Sequence, residues 1–290
     1  MIRIDSLTHV YPRTKAKALD GVSLDIVPGS ITGVIGPNGS GKTTLFKTFS
    51  GRLAPTSGTI EIGGTALDAE ELAAHAAYSG DEKDLQGVSV RSALLYSRLR
   101  PTWRETTFAR LAERFSFPLK GSLGRRSQGE RSLFATGLAL ASGAPLTLLD
   151  EPFGNLDVPT RLALAEEIIR VSTESEGART ILVSSHLVSE LETLIERVAV
   201  LDSGRLLTES SVDEMRRSVR ALVGDPASIR RILDADPAAR ILSERPLGRL
   251  AEIRVATPSP ASLDALDRAG VEIAGLTFQD AFASLIAKEH

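Results

Sequence analysis

The sequence GPNGSGKTTL, residues 36–45, is a glycine-rich turn between two different apolar patterns. Before it, SITGVIG (30–36) is a short, β-branched apolar run of the kind found in buried strands; after it, KTTLFKTFSG (42–51) has apolar residues at helical spacing. Glycines let such a turn curl so that its N–H groups point inward, and the helix N-terminus and Lys42 add positive charge. The pattern G-x-x-x-x-G-K-[ST] between a strand and a helix predicts a loop that binds the phosphates of a nucleoside triphosphate.

The residues expected to contact the nucleotide lie in this turn and in the first turn of the helix. They are Gly36, Asn38, Gly39, Ser40, Gly41, Lys42, Thr43 and Thr44. The hydroxyl of Thr43 is also expected to bind the Mg2+ that accompanies the triphosphate. An ordinary strand-to-helix turn with surplus glycine is the alternative, which the Lys42-Thr43 pair disfavours.

Two carboxylates, Asp150 and Glu151, follow the apolar run LTLL (146–149). Ligands of parallel α/β sheets bind at the carboxyl ends of the strands. Asp150 is therefore expected to hold Mg2+ through water, and Glu151 to polarise the water that attacks the γ-phosphate. Alone, the pair would be interpreted as a helix cap; beside a phosphate-binding loop it predicts an ATP-hydrolysing site.

Composition limits the remaining possibilities. The chain has 290 residues, 42% of them hydrophobic, a net charge of -3 and no cysteine. Disulfides, thiol catalysis and cysteine-ligated zinc are thus excluded, and no nucleic-acid partner is expected. The N-terminus lacks the apolar region of a signal peptide. The uncharged stretch 133–149 is interrupted at Gly143-Ala144-Pro145, so a buried helix and a strand are expected there and not a membrane span.

Further motifs resemble those of the ATP-binding subunits of ABC transporters. Tyr11 precedes the phosphate-binding loop at the distance where that family has an aromatic residue that stacks on adenine. RSQGE (126–130) resembles the family signature LSGGQ, GNLD (154–157) matches its D-loop, and His186 lies where the family has its switch histidine. The motifs keep the family's order over residues 1–215, and a signature just upstream of the Asp-Glu strand is the most specific of them.

The resemblance implies a nucleotide sandwich of two copies paired head to tail. ATP would lie between one copy's phosphate-binding loop and the other copy's signature, where Ser127 and the backbone of Gly129 would face the γ-phosphate. His186 would hold the γ-phosphate and the attacking water in line, and Asp157 would tie the halves together. Taken singly, Ser127 is equally a plain helix cap, His186 a loop histidine, and Tyr11 a residue on a hydrophobic edge.

Three positions depart from the family pattern. Arg126 replaces the usual leucine of the signature, and Gln128 replaces a glycine. Asp81 stands where the family has the glutamine of its Q-loop. An aspartate oxygen there could still ligate Mg2+, and Gln86 is a possible substitute for the glutamine.

The fold class expected is α/β. Residues 1–215 would form a P-loop NTPase core with an antiparallel β subdomain and a helical signature subdomain at about 82–128. In the family, this helical insert and the Q-loop form a groove for a cytoplasmic helix of the membrane partner. Candidates to line such a groove are Leu85, Val88, Leu94 and Trp103, for which ordinary core packing is the alternative.

Residues 216–290 carry none of these motifs. Runs such as RALVG (220–224) and LAEIRVA (250–256) predict strands, while Asp225-Pro226 and Ser259-Pro260 each predict the start of a helix. The resulting order, β-α-β-β-α-β, is that of a small ferredoxin-like α+β domain, followed by a last amphipathic helix. We expect this accessory domain to be structural, with dimer contact or regulation as its possible further roles.

The function expected is that of an ATP-hydrolysing motor subunit. A metabolic kinase is disfavoured, because it would lack a signature-like helix and would need a phosphoacceptor site, which the sequence does not show. The motor subunit would bind ATP and Mg2+, work as a dimer of identical chains, and drive a separate transmembrane permease from the cytoplasmic face of the cell membrane. The single cassette with a short tail resembles bacterial drug and antibiotic exporters. The alternative is a soluble ABC-type ATPase acting on DNA or ribosomes, although this chain has neither the internal repeat nor the heptad run typical of those proteins.

Overall fold

The computed structural model describes residues 1–80, 87–186 and 188–287. The chain divides into two compact units, Met1–Glu209 and Ser210–His290. The boundary expected from the sequence, between residues 215 and 216, falls close to this division. Separate roles for the two parts stay a prediction.

The first unit alternates strands and helices. In chain order its described elements are β1 (Ile2–Val10), β2 (Lys17–Ile26), β3 (Ile31–Ile35), α1 (Lys42–Phe49), β4 (Ser57–Ile62), β5 (Thr65–Ala66), α2 (Ala69–His75), β6 (Ala76–Ser79), α3 (Val90–Arg98), α4 (Glu105–Arg114), α5 (Gln128–Ala141), β7 (Leu146–Asp150), α6 (Val158–Glu174), β8 (Thr180–Ser185), α7 (Val188–Leu191), β9 (Arg197–Asp202) and β10 (Arg205–Ser211).

A mostly parallel sheet with the strand order β10-β9-β3-β8-β7-β6 forms the centre of this unit. The pairs β9-β3, β3-β8, β8-β7 and β7-β6 are parallel. All residues of β3, β7 and β8 are buried, as expected of strands covered on both faces. Their carboxyl ends lie at one edge of the sheet, where the phosphate-binding loop, the Asp-Glu pair and the histidine loop follow.

An antiparallel sheet with the order β2-β1-β4-β5 is the second layer. One hydrophobic core joins this sheet, helix α1 and the central sheet. Leu24 of β2, Phe46 and Phe49 of α1, and Leu148 and Leu182 of the central strands all belong to it. Helix α1 is thereby held between the sheets, which fixes the loop at its N-terminus.

The helical part is attached to the central sheet by buried aromatic and charged contacts. The rings of Phe117 and Phe134 lie 5.4 Å apart, edge to face. Glu167 of α6, only 1% exposed, accepts hydrogen bonds from Arg110 and Arg114 of α4 at 2.9 and 2.7 Å. The C-terminal end of α5 contacts the side chain of Arg179.

Arg179 is buried and caps the C-terminal end of α5. Its guanidinium donates to the carbonyl oxygens of Leu140 and Ala139 at 2.6 and 2.7 Å, and to Thr147 Oγ1 of β7 at 2.8 Å. Burial lowers the pKa of Arg179 to about 10. A cation at this end of a helix is favourable because the helix dipole is negative there.

The second unit is an α+β fold. Its elements are α8 (Val212–Ser218), β11 (Val219–Gly224), α9 (Pro226–Leu233), β12 (Arg240–Leu247), β13 (Leu250–Ala256), α10 (Pro260–Arg268), β14 (Glu272–Gly275) and α11 (Phe278–Ile286). The sheet is antiparallel with the order β12-β13-β11-β14, and Leu222, Ile229, Ile253 and Leu266 share one core with α9 and α10. The predicted β-α-β-β-α-β order is confirmed. The last strand, β14, ends at Gly275, and the Thr277 side chain then caps α11.

Two predictions about apolar segments have clear outcomes. The stretch 133–149 is indeed a helix, α5, followed by a strand, β7. In the part of the chain that the structure describes, no helix is both long and apolar enough to cross a membrane.

The candidates to line a groove for a membrane partner stay a prediction, with core packing as the alternative. A cavity of about 600 Å³ does lie beside β6, α3 and α5, but Val88, Leu94 and Trp103 are not among its lining residues. Leu94 is buried in the core instead. Leu85 lies outside the described residues.

Candidate active site

The phosphate-binding loop is closed by its own lysine. Gly41, the residue before α1, has φ +104°, a conformation that favours glycine. Lys42 is buried, and its Nζ donates to the carbonyl oxygens of Gly36 and Pro37 at 2.8 and 3.2 Å. Burial lowers the pKa of Lys42, an effect that the nearby carboxylates of Glu151 and Asp150 oppose.

Glu151, which directly follows β7, contacts two of the other predicted site residues. Its Oε2 lies 2.8 Å from Nδ1 of His186, and its Oε1 lies 3.6 Å from Nζ of Lys42. Glu151 has φ +51°, an unusual conformation for a residue with a side chain, and its N–H donates to Oγ of Ser184 at 2.9 Å. Strained backbone of this kind is concentrated at functional sites, where the surrounding structure holds it in place.

Asp150 is buried, and both of its oxygens accept hydrogen bonds. Ser184 Oγ donates to Oδ1 at 2.5 Å, and the Tyr78 hydroxyl donates to Oδ2 at 3.3 Å. A carboxylate held in this way keeps lone pairs for the water shell that Mg2+ retains in proteins, and the exposed Thr43 can offer a hydroxyl. This oxygen donor set fits magnesium. Asp81 and Gln86 lie outside the described residues, so their roles stay predictions.

Ser184 and Tyr78 were missed by the sequence interpretation. The Ser184 hydroxyl bonds both carboxylate residues at once: it donates to Oδ1 of Asp150 and accepts from the N–H of Glu151. The signal for it was the pair Ser184-Ser185 at the end of a strand, directly before His186. Nothing in the local sequence singled out Tyr78.

The remaining loop residues surround this group. Gly36 and Ser40 are buried, whereas Asn38 and Gly39 are exposed. The hydroxyls of Tyr11 and Thr44 lie 3.2 Å apart, so the predicted adenine-stacking residue is next to the first turn of α1. Tyr11 is 36% exposed, and its ring packs against the edge of His9, with 4.8 Å between the centroids.

Ser127 and Gly129 lie at the N-terminus of α5. Ser127 Oγ accepts from the N–H of Glu130 at 3.2 Å, and Glu130 Oε2 accepts from the N–H of Ser127 at 2.8 Å, forming a capping box. A Cβ at Gly129 would lie 2.5 Å from the carbonyl oxygen of Asn155, so only glycine fits without a shift. Arg126 is partly exposed, and its guanidinium lies 3.6 Å from the Glu130 carboxylate.

Asp157 has a local role that its motif did not predict. It is the N-cap of α6, where its Oδ1 accepts from the N–H of Thr160 at 3.0 Å, and hydrogen bonding to Thr160 lowers its pKa. The hydrogen bonds of Asp157 and Ser127 thus run to their own helices. The structure brings together Lys42, Asp150, Glu151 and His186.

Comparison with known proteins identifies the family of the chain. The sequence profile described as "ABC transporter" matches residues 19–154. A relative from Halobacterium salinarum, assigned by its name to the ABC transporter ATP-binding proteins, is 31% identical over 244 residues, which are 79% of this chain and 95% of that one. The chain belongs to the ABC transporter ATP-binding subunits. It is thus a member of an ATPase family.

Two other relatives of this ABC subunit have more specific names. The daunorubicin resistance ATP-binding protein DrrA3 of Streptomyces coeruleorubidus is 32% identical over 214 residues, 69% of this chain. The match spans only 65% of that relative's length. The osmoprotectant import ATP-binding protein OsmV of Salmonella typhimurium is 27% identical over 253 residues, 80% of this chain and 66% of that one.

A solved structure gives the same fold as this ABC subunit. It is the dimeric structure of an ATP-binding cassette in a post-hydrolysis state, bound to ADP and Pi. The TM-score is 0.63 at 23% identity, over 73% of this chain and 98% of that one. At this identity the likeness establishes the fold alone.

Proposed function

We propose that this protein hydrolyses ATP as the motor subunit of an ABC exporter, pairing with a second copy around the nucleotide and driving a separate transmembrane permease. The observation that carries the proposal is the position of Glu151, whose carboxylate contacts both His186 and Lys42. A base, its orienting partner and a phosphate-binding cation thus meet at the carboxyl ends of neighbouring strands.

Each residue of this group has a role in hydrolysis. Lys42 and the N–H groups at the start of α1 bind the β- and γ-phosphates. Glu151 accepts a proton from the attacking water at its carboxylate, and His186 holds that carboxylate and the γ-phosphate in line. Thr43 and Asp150 would hold Mg2+, which supplies positive charge against the charge that develops on the phosphates.

The second copy would complete the site from across the nucleotide. Ser127 and the N–H of Gly129 lie at the N-terminus of α5, a 14-residue helix that offers unpaired N–H groups to an anion. On binding ATP, the Ser127 hydroxyl would exchange part of its capping role for the partner copy's γ-phosphate. The dimer therefore closes with ATP and loosens after hydrolysis.

The permease would dock at the cavity beside β6, α3 and α5. Apolar side chains line it: Tyr96 from α3, Leu99 directly after α3, and Leu138 from α5. The cations Arg52 and Arg100 line it as well. Tyr96 and Leu99 are 72% and 70% exposed. Exposed apolar surface beside a cavity is typical of a protein interface, and this supports the cavity as the docking site for a permease. A subunit docked in this way would act at the cytoplasmic face of the membrane. Export as the direction rests on the resistance protein DrrA3 among the relatives.

The test is a tagged Glu151→Gln variant, purified with ATP and Mg2+ from mild-detergent extracts of native membranes. Glu113→Gln, an exposed residue on α4, is the matched control. Glu151→Gln is expected to retain ATP, form a stable dimer and recover a multi-span membrane protein in stoichiometric yield, while Glu113→Gln hydrolyses ATP like the parent.

Three results would count against the proposal. Hydrolysis by Glu151→Gln at the parent rate would remove the role of Glu151. Recovery with ribosomes or DNA-bound proteins from the soluble fraction would favour the soluble ATPase instead. A co-purified permease that moves its cargo inward in vesicles would overturn the export direction.

A further inference from the structure

Arg161, in the first turns of α6, contacts two loops that flank the active site. Its Nε donates to the carbonyl oxygen of Leu156 at 2.8 Å, and its Nη1 forms an ion pair with Oε1 of Glu190 at 2.5 Å. The side chains of Arg161 and Glu190 are 32% and 13% exposed, so the pair is largely shielded from solvent. Charge-assisted hydrogen bonds are strong under these conditions.

Each partner of Arg161 belongs to a segment that reaches the catalytic pair. Leu156 lies in the turn that follows Glu151, directly before Asp157. Glu190 lies on α7, which follows the His186 loop, and its Oε2 accepts from Oγ of Ser185 at 3.4 Å. One planar guanidinium therefore links the segment after the catalytic carboxylate to the residue next to the histidine.

We infer that Arg161 and Glu190 are positioning residues that couple the 154–157 segment to His186. The inference rests on the proposed function, in which a second copy pairs around ATP, and on the expectation that Asp157 of this segment ties the two halves together. A shift of the Leu156 carbonyl changes its hydrogen bond with the guanidinium of Arg161. Because the guanidinium is rigid and planar, the ion pair of Arg161 with Glu190 changes as well. Contact with the second copy is thereby transmitted to the histidine that orients Glu151, so each site is fully active only when the partner is engaged.

Because Arg161 acts through His186 in this mechanism, the effects of removing the two residues on kcat should not be additive. Arg161→Met keeps an apolar stem but removes both bonds; it is expected to lower kcat about tenfold, since small misplacements of catalytic groups cost rate, with KM for MgATP changed by less than about twofold. Glu190→Gln, which keeps the shape of the side chain, is expected to act in the same direction. Arg161→Lys keeps the charge without the fork, so its kcat should lie in between.

The decisive experiment is a double-mutant cycle with His186→Ala, measured as ATPase activity of the full chain. In the His186→Ala background, Arg161→Met should cause no further fall in kcat. Arg114→Met is the control, since it removes another partly exposed arginine from carboxylates of α6, far from the histidine loop. Its kcat should equal that of the parent even where its thermal unfolding is lowered as much as that of Arg161→Met.

Two outcomes would overturn the coupling. One is an unchanged kcat for both Arg161→Met and Glu190→Gln; the other is a full additional loss when Arg161→Met is combined with His186→Ala. An inactive parent protein would instead overturn the proposed ATPase function, so the two failures are distinguishable.

Discussion

His186 is held against Glu151, with 2.8 Å between Nδ1 of the histidine and Oε2 of the carboxylate. The two residues are 35 positions apart in the chain and follow neighbouring parallel strands, β8 and β7. The contact orients a carboxylate whose other oxygen faces Lys42. The carboxylate of Glu151 therefore contacts the proposed orienting group, His186, through one oxygen and the proposed phosphate-binding cation, Lys42, through the other.

The first prediction removes this orienting group. His186→Ala is expected to lower kcat for ATP hydrolysis about 100-fold, the order of magnitude that a positioned acid–base group contributes, with a small change in ATP affinity. Steady-state ATPase kinetics and nucleotide binding measure the two effects. His75→Ala on α2 should match the parent, because the ring nitrogen Nδ1 lies 2.8 Å from the Glu71 carbonyl oxygen of its own helix. Equal kcat values for His186→Ala and the parent would remove the histidine from the mechanism.

The second prediction concerns the hydroxyl groups that hold Asp150. Tyr78→Phe removes the donor to Oδ2, so its cost should be about 1–2 kcal/mol, or about a 5- to 30-fold rise in the Mg2+ concentration for half-maximal ATPase. Ser184→Ala should cost more, because it also deprives the Glu151 N–H of its acceptor. The exposed Tyr96→Phe is the control. Magnesium titrations that superimpose for Tyr78→Phe and the parent would contradict this role.

The sequence was sufficient for the catalytic group but not for what supports it. The strand, loop and helix around Lys42 are encoded locally, by an apolar run, glycines and helical spacing, and all three lie where predicted. Ser184 and Tyr78 act on Asp150 through sheet pairing instead. Ser184 is the register partner of Asp150, and Tyr78 pairs with Leu148, so both contacts depend on strand order, which is not local information.

Helix α3 shows why the sequence left groove lining and core packing open as alternatives for Leu94. Its sequence is apolar on two faces, and the structure buries Val90 and Leu94 while it leaves Leu95 and Tyr96 exposed. Periodicity alone cannot choose between two apolar faces. The choice is made by α3 packing on the rest of the unit, which only the tertiary structure supplies.

The third prediction tests the close approach of α5 to the 154–157 segment. Gly129→Ala places a methyl group 2.5 Å from the Asn155 carbonyl oxygen, so backbone must move. We expect a loss of stability of about 1–3 kcal/mol, the usual cost of overpacking, and a lower ATPase rate. Gly275→Ala is the control, because nothing lies within 4 Å of its added methyl and its φ is not positive. If Gly129→Ala matches the parent in thermal unfolding and ATPase activity, the 154–157 segment can move away from the methyl group without loss of stability, which would contradict the prediction.

The last prediction is a pH dependence at Glu167. Burial raises the pKa of this carboxyl, but hydrogen bonds from Arg114 and Arg110 outweigh burial, and the net shift is downward. A carboxyl with a lowered pKa in the folded state stabilises the fold above its unfolded pKa, about 4.3, and loses that contribution as the pH falls through the folded value. At pH 7, Glu167→Gln should therefore lower the free energy of unfolding by about 1–3 kcal/mol. This loss is smaller than that expected for a fully buried ion pair, because both arginines are partly exposed.

The difference between Glu167→Gln and the parent should shrink as the pH is lowered from 7 towards 3, since protonation gives the parent a neutral side chain as well. Urea unfolding at a series of pH values measures it, with Glu113→Gln, an exposed substitution on α4, as the control that changes little at any pH. A difference that stays constant or grows on acidification would mean that the two arginines do not hold Glu167 in its charged form.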